Sequence, residues 1–197
     1  MTRMEATSLA QSDQLVSIRL GWAGFELIQR ARGESRSPRI TYLDGVLELL
    51  APSKSHEGIK SRIGRLLEMW AALEGIAVSP FGSTTLKKRR GKAVAEPDEC
   101  YVVGRSDMAS VPDIAIEVNW SRSGIDKLEV YERLGVPEVW LWENDRIGVF
   151  ALKTNRYAKR KKSAYLPTLD LEWLARFVAD PDHTRAVANL LGEYRSN

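Results

Sequence analysis

The chain has 197 residues, 44% of them hydrophobic and 28% charged, with 29 Lys and Arg against 26 Asp and Glu for a net charge of +3. That length supports a single domain over residues 1–197 whose core needs no disulfide or structural metal, and one cysteine (Cys100) with two histidines (His56 and His183) excludes disulfide frameworks and Cys/His zinc sites. No apolar run approaches the ~20 residues that cross a bilayer, and Met1–Leu20 lacks the apolar centre of a signal peptide, so a reducing, cytoplasmic setting is expected.

Residues 1–17 read as a polar, loose segment, and residues 18–52 as a helix followed by a hairpin. Trp22, Phe25, Leu27 and Ile28 mark the helix; Asp44-Gly45, between two apolar-rich runs, marks the hairpin turn because both positions of a type I′ turn need positive φ. Ser53 and Ser55 offer N-caps for a long helix whose inner face carries Ile59, Ile63, Leu66, Leu67 and Trp70 and which Gly75 ends. Strands are expected over 76–79, 92–103 and 111–120, with the basic run 87–92 as a loop between the first two. Ile125, Leu128, Tyr131 and Leu134 give a second helix closed by Gly135. The strand 138–142 is apolar on both faces and so belongs in the middle of a sheet; Asn144-Asp145 then turns the chain back along 147–152. Residues 153–197 hold a basic segment and two helical patterns, around 171–178 and 184–191. Helix, strand, strand, strand, helix, strand over 53–152 makes an α/β (α+β) fold: a mixed β-sheet flanked by helices.

Chemistry concentrates on the strand 111–120. Side chains alternate across a strand, so Ile114, Ile116, Val118 and Trp120 share one face while Asp113, Ala115, Glu117 and Asn119 share the other. A solvated sheet face gives the same pattern. A covered one does not tolerate bare carboxylates, which then require a cation or hydrogen bonds. Asp98 opens the neighbouring apolar run 100–103 and reaches Glu117 if the two strands pair; the alternative is a turn-forming acid at a strand start. Two carboxylates on adjacent strands form the oxygen pocket that Mg²⁺ prefers. Lys127 lies four residues before Tyr131 and seven before Leu134, toward the apolar face of its helix, either as a snorkelling stem or as a cation facing the pocket. His56 and Glu57 open the first long helix, with His56 pointing inward and Glu57 to the side; helix-dipole compensation by Glu57 is the plainer account.

These residues in this order resemble the PD-(D/E)XK phosphodiesterases, the restriction-endonuclease-like superfamily, and within it the Uma-type endonuclease family. The matching stretches are Ala51-Pro-Ser-Lys-Ser-His-Glu57, Glu96-Pro-Asp98, Pro112-Asp-Ile-Ala-Ile-Glu-Val118, Asp126-Lys-Leu-Glu-Val-Tyr131, Leu134-Gly-Val-Pro-Glu-Val-Trp140 and Leu166-Pro-Thr-Leu-Asp-Leu171, together spanning roughly residues 20–180. The resemblance implies a restriction-endonuclease-like core with Asp98, Glu117 and Lys127 as catalytic residues, and His56, Glu57, Asp113 and Asn119 as possible additions. It implies Mg²⁺ or Mn²⁺ held by Asp98 and Glu117, with Glu57, and a homodimer. The lysine stands on the helix rather than two residues after the glutamate, where this chain has Asn119. The turn after the glutamate strand, Asn119-Trp-Ser-Arg122, departs from the family's Ser-Pro-Ser, and Ser123 stands where many members have aspartate.

The implied activity is metal-dependent hydrolysis of nucleic-acid, chiefly DNA, phosphodiesters. A catalytically silent nucleic-acid-binding or interaction module on the same fold is the competing reading. Phosphate contacts are expected from Lys87, Lys88, Arg89, Arg90 and Lys92, and from Lys153, Arg156, Lys159, Arg160, Lys161 and Lys162. Those two windows carry eleven Lys and Arg and no acid, so the rest of the chain has a net charge of −8 beneath the overall +3.

Overall fold

The computed structural model describes residues 12–108, 110–118 and 124–196. The described chain runs β1 (Gln14–Arg19), α1 (Trp22–Arg32), β2 (Arg39–Leu43), β3 (Val46–Ala51), α2 (Lys54–Leu73), β4 (Val78–Pro80), β5 (Leu86–Lys88), β6 (Ala93–Ala95), β7 (Glu99–Val103), β8 (Ile114–Val118), α3 (Lys127–Leu134), β9 (Glu138–Glu143), β10 (Arg146–Lys153), β11 (Arg156–Arg160), α4 (Leu171–Ala179) and α5 (His183–Ser196). They form two sheets, ordered β1-β3-β2-β6-β5 and β11-β10-β9-β8-β7-β4.

The larger sheet is mixed. Only β8 and β9 run parallel, joined through α3, the crossover that parallel neighbours require. One face of this sheet, with Ile114, Ile116, Val118, Trp140 and Trp142, packs on α2, α4 and α5. The other, with Ala115, Val139 and Leu141, packs on α3 and on Leu43, Leu86, Ala93 and Ala95 of the smaller sheet. Both faces of β8 and β9 are therefore covered. The smaller sheet makes its own core with α1, from Phe25, Ile40, Tyr42, Leu47 and Val94.

Local chemistry accounts for the boundaries. Asp44 and Gly45 take φ of 43° and 92° at the β2–β3 turn. The Ser53 hydroxyl caps α2 by accepting from the His56 N–H, and Asp126 caps α3 by accepting from Leu128 and Glu129. Gly135 closes α3 in the left-handed conformation. No helix is long and apolar enough to cross a membrane among the described residues.

Three expectations change. Residues 14–17, read as loose, lie in β1, which pairs antiparallel with β3 from Gln14↔Ala51 to Arg19↔Val46. Val16 and Ile18 are exposed there, so little apolar patterning marks the strand. The single strand expected over 92–103 is two, β6 in the smaller sheet and β7 in the larger. The chain crosses between sheets at Glu96-Pro97-Asp98, where Pro97 has no N–H to continue a ladder. The Glu96 carboxylate takes Arg32 in a two-pronged pair and the Ile40 N–H, while the Asp98 N–H turns to the Ile116 carbonyl. The basic run 87–92 is not a free loop but the turn of the β5–β6 hairpin, which pairs Lys88 with Ala93.

Candidate active site

Asp98 stands just before β7, where its N–H donates to the Ile116 carbonyl and its Oδ2 accepts from the Val118 N–H, so its side chain lies against the two β8 residues that flank Glu117. Glu117 shares the β8 face of Ala115, which α3 and the smaller sheet cover, and both carboxylates are buried.

Each carboxylate is met by partners from other elements. Glu117 Oε2 accepts from Lys127 Nζ at 2.6 Å, and Oε1 from the Tyr131 hydroxyl at 2.5 Å. Lys127, Val130, Tyr131 and Leu134 form the buried stripe of α3 at helical spacing, so lysine and tyrosine arrive together from one helix face. Burial, and then the charge of Glu117, push the Tyr131 phenol well above its ordinary pKa, which keeps it a donor. Asp98 Oδ2 accepts from the Val118 N–H at 2.6 Å. Its Oδ1 faces His56 Nε2 at 2.9 Å and pairs with Arg39 Nη1. Arg39 Nη2 pairs in turn with Glu57.

Behind His56 stands Asp13, with Oδ2 2.9 Å from Nδ1. Burial pushes the imidazole toward its neutral form, against the pull of Asp13. A neutral ring that donates Nδ1–H to Asp13 keeps Nε2 as an acceptor, and Arg39 Nη1 lies 3.3 Å from it. Burial alone would raise Asp13, but the Ser53 N–H and His56 outweigh it and hold the carboxyl below its ordinary value. The result is a buried polar cluster in which three carboxylates, two cations, a phenol and an imidazole are supplied by the residue before β1 and by β2, the start of α2, the β6–β7 crossing, β8 and α3.

A model of the Uma2 family, described as "Putative restriction endonuclease", matches residues 22–180. The chain belongs to the Uma2 family. The solved structures include a similar one described as a "putative nuclease belonging to DUF820" from Anabaena variabilis ATCC 29413. It has 14% identity and a TM-score of 0.52, and the match covers 77% of this chain and 98% of that one. The shared fold is restriction-endonuclease-like, with α2, β4, β7, β8, α3 and β9 in the core order expected from the sequence. No curated protein matches the chain.

Of the residues singled out in this Uma2 chain, Asp98, Glu117, Lys127 and His56 come together. Glu57 stands at the rim, 42% exposed, tied to Arg39 and to Lys60 at 3.7 Å. Asp113 lies elsewhere: its oxygens take the Val103 N–H at 2.8 Å and the Arg105 guanidinium. Four residues of strand, about 13 Å, separate it from Glu117. Asn119 falls outside the described residues. No group of three or more His, Cys, Asp and Glu with metal-site geometry occurs among the described residues.

The β5–β6 hairpin and β11, which carry the basic windows, both contact α3. Lys88, Arg89, Arg90 and Lys92 are exposed at the β5–β6 turn. Lys87 is committed to α1, donating to Gln29 at 2.7 Å and lying over the rings of Trp22 and Phe25. Arg156, Lys159 and Arg160 are exposed on β11, an edge strand, with Lys161 and Lys162 just beyond. Tyr157 anchors that strand to the end of α3 by donating to the Val136 carbonyl at 2.5 Å.

Sequence reasoning passed over Arg39, Tyr131 as a donor, Asp13 and Glu48. Glu48 of β3 accepts from the Gly124 and Ile125 N–H groups at 2.7 and 3.1 Å and so holds the segment that enters α3. A Cβ on Gly124 would come within 3.1 Å of that oxygen. Arg39 carried one signal, a charged residue opening an apolar hairpin strand. Asp13 and Glu48 carried none.

Proposed function

We propose that this chain is a Mg²⁺- or Mn²⁺-dependent endonuclease that hydrolyses DNA phosphodiesters. The observation that carries the reading is the convergence of two buried carboxylates, Asp98 bound to the Val118 N–H and Glu117 next to Val118 in the chain, with the Lys127 ammonium 2.6 Å from Glu117. The donor set fits the metal: two carboxylates offer the hard oxygens such an ion takes, with water and substrate phosphate completing its shell. Asp98 and Glu117 would hold it, with Glu57 at the rim. A divalent ion bound there polarises the phosphoryl group and acidifies a water.

The chain's own groups do the rest. Lys127, held by Glu117 against a water-poor wall, orients the attacking water and offsets negative charge that builds on the phosphate. Tyr131 fixes the other oxygen of Glu117. The Val118 N–H fixes Oδ2 of Asp98. The cations of the β5–β6 hairpin and of β11, both in contact with α3, suit the backbone of a bound strand. The reading extends to a cytoplasmic setting and to a homodimer able to cut both strands, which the family resemblance suggests.

The test is incubation of plasmid DNA with Mg²⁺, with Mn²⁺ and with chelator, for the parent and for Asp98→Ala. Metal-dependent nicking by the parent and none by the variant supports the reading. DNA that is bound but left intact in both metals favours a silent binding module, which the full pairing of both carboxylates by Arg39 and Lys127 would also suit.

A further inference from the structure

Arg39 belongs to the smaller sheet, yet its guanidinium is buried against Asp98, one of the two candidate metal-holding carboxylates, where the chain enters the larger sheet. Of the two Asp98 oxygens, Oδ2 is committed to the Val118 N–H at 2.6 Å. Oδ1 is the oxygen left for a metal; His56 Nε2 lies 2.9 Å from it, and Arg39 is the permanent cation on it. Like charges that share one carboxylate oxygen repel, so a divalent cation and this guanidinium exclude each other there.

Lys127 and Arg39 differ in what holds them. Among the described residues the ion-pair partner of Lys127 is Glu117, which is 1% exposed. Arg39 has a second partner, Glu57, 42% exposed at the rim. Released from Asp98, the guanidinium remains tethered at the mouth, where a substrate phosphate arrives, and its planar fork suits a phosphate in two-pronged contact.

We propose that Arg39 is an internal counter-cation that holds Asp98 in the metal-free protein, competes with the incoming metal for Oδ1, and turns to the substrate phosphate when displaced. The inference rests on the reading of Asp98 and Glu117 as metal-holding carboxylates. It makes metal binding and DNA binding mutually supportive: phosphate draws Arg39 off the metal's seat, and metal frees Arg39 for phosphate. Such coupling is reciprocal by thermodynamic necessity.

The test titrates the full chain with Mn²⁺ in a calorimeter, with and without a short mixed-sequence DNA duplex, for the parent, Arg39→Gln and Arg39→Lys. Thermal melts accompany each titration. DNA should tighten Mn²⁺ binding to the parent about tenfold, a typical coupling. Arg39→Gln, which keeps a donor and loses the charge, should bind Mn²⁺ about tenfold more tightly than the parent without DNA and gain little from DNA. Arg39→Lys keeps the competing charge and should bind like the parent.

Arg39→Gln should also melt below the parent without metal, because it leaves Asp98 an unpaired buried charge, and recover in Mn²⁺. Arg39→Gln binding Mn²⁺ no more tightly than the parent overturns the proposal, as does a folding failure that Mn²⁺ does not repair. If neither the parent nor any variant binds Mn²⁺ at millimolar concentration, the metal-site reading itself falls.

Discussion

Two carboxylates of equal parity stand four residues apart, Asp113 just before β8 and Glu117 near its end, and the structure treats them differently. Asp113 accepts a backbone N–H from Val103 and an arginine, Arg105, that is 43% exposed. That is a clasp closing the end of β7 against β8: one backbone bond and one solvent-screened ion pair. Glu117 accepts from a buried lysine and a buried phenol on one helix face, and a second buried acid, Asp98, takes the N–H of the next residue, Val118. Backbone donors satisfy a carboxylate for the sake of the sheet. Buried side-chain cations brought in from distant elements require the fold to arrange them, and that is expensive to keep for structure alone. The face of a strand therefore says less about function than the partners gathered at each end of it.

The comparison breaks most readily through substitution. Asp98→Asn and Glu117→Gln should reduce DNA cleavage to background, measured as plasmid nicking in Mg²⁺, while Asp113→Asn retains the parent's rate. Lys127→Ala should lower the single-turnover rate by about 10²–10³, the typical loss for one electrostatic contact to the reacting group. Equal losses for Asp113→Asn and Lys127→Ala would erase the distinction between the two ends.

Charge on the substrate side sharpens it next. Arg156→Ala and Arg160→Ala should each reduce the slope of log affinity against log salt by about 0.9 per lost phosphate contact, measured by DNA-binding anisotropy. Lys87→Ala should leave that slope unchanged, because Lys87 is spent on Gln29 and the aromatic rings of α1.

Stability carries the smaller effects. Asp113→Ala leaves the buried side of the Val103 N–H without its acceptor and should lower unfolding free energy by about 1–3 kcal/mol in urea titrations, with little change in cleavage. At Cys100, burial pushes the thiol up to about 12. The folded chain thus keeps its proton where an unfolded thiol begins to lose it. Alkylation by iodoacetamide at pH 9 should be negligible for the native protein and prompt once urea unfolds it.

Much of the fold was legible because local rules agreed with tertiary packing. The spacing of Ile59, Ile63, Leu66, Leu67 and Trp70 announced α2, Asp44-Gly45 announced the hairpin, and the two-faced apolar run at 138–142 announced a strand covered on both sides. Lys127 was placed on the inner face of α3 by the same periodicity. Three things escaped. Residues 14–17 pair with β3 mainly through backbone bonds, to which side-chain pattern is blind. The crossing at Glu96-Pro97-Asp98 joins two sheets inside what reads as one apolar stretch. Arg39 and Asp13 meet His56 across 17 and 43 residues of chain, contacts that no spacing rule reaches.

The most direct measurement of the central claim is a crystal of the parent protein soaked in Mn²⁺ and examined for anomalous scattering. The account predicts a peak ligated by Asp98 and Glu117, with Arg39 withdrawn from Asp98 and no peak at Asp113. Asp98 still paired with Arg39 at millimolar Mn²⁺, with the metal absent or bound elsewhere, would contradict it.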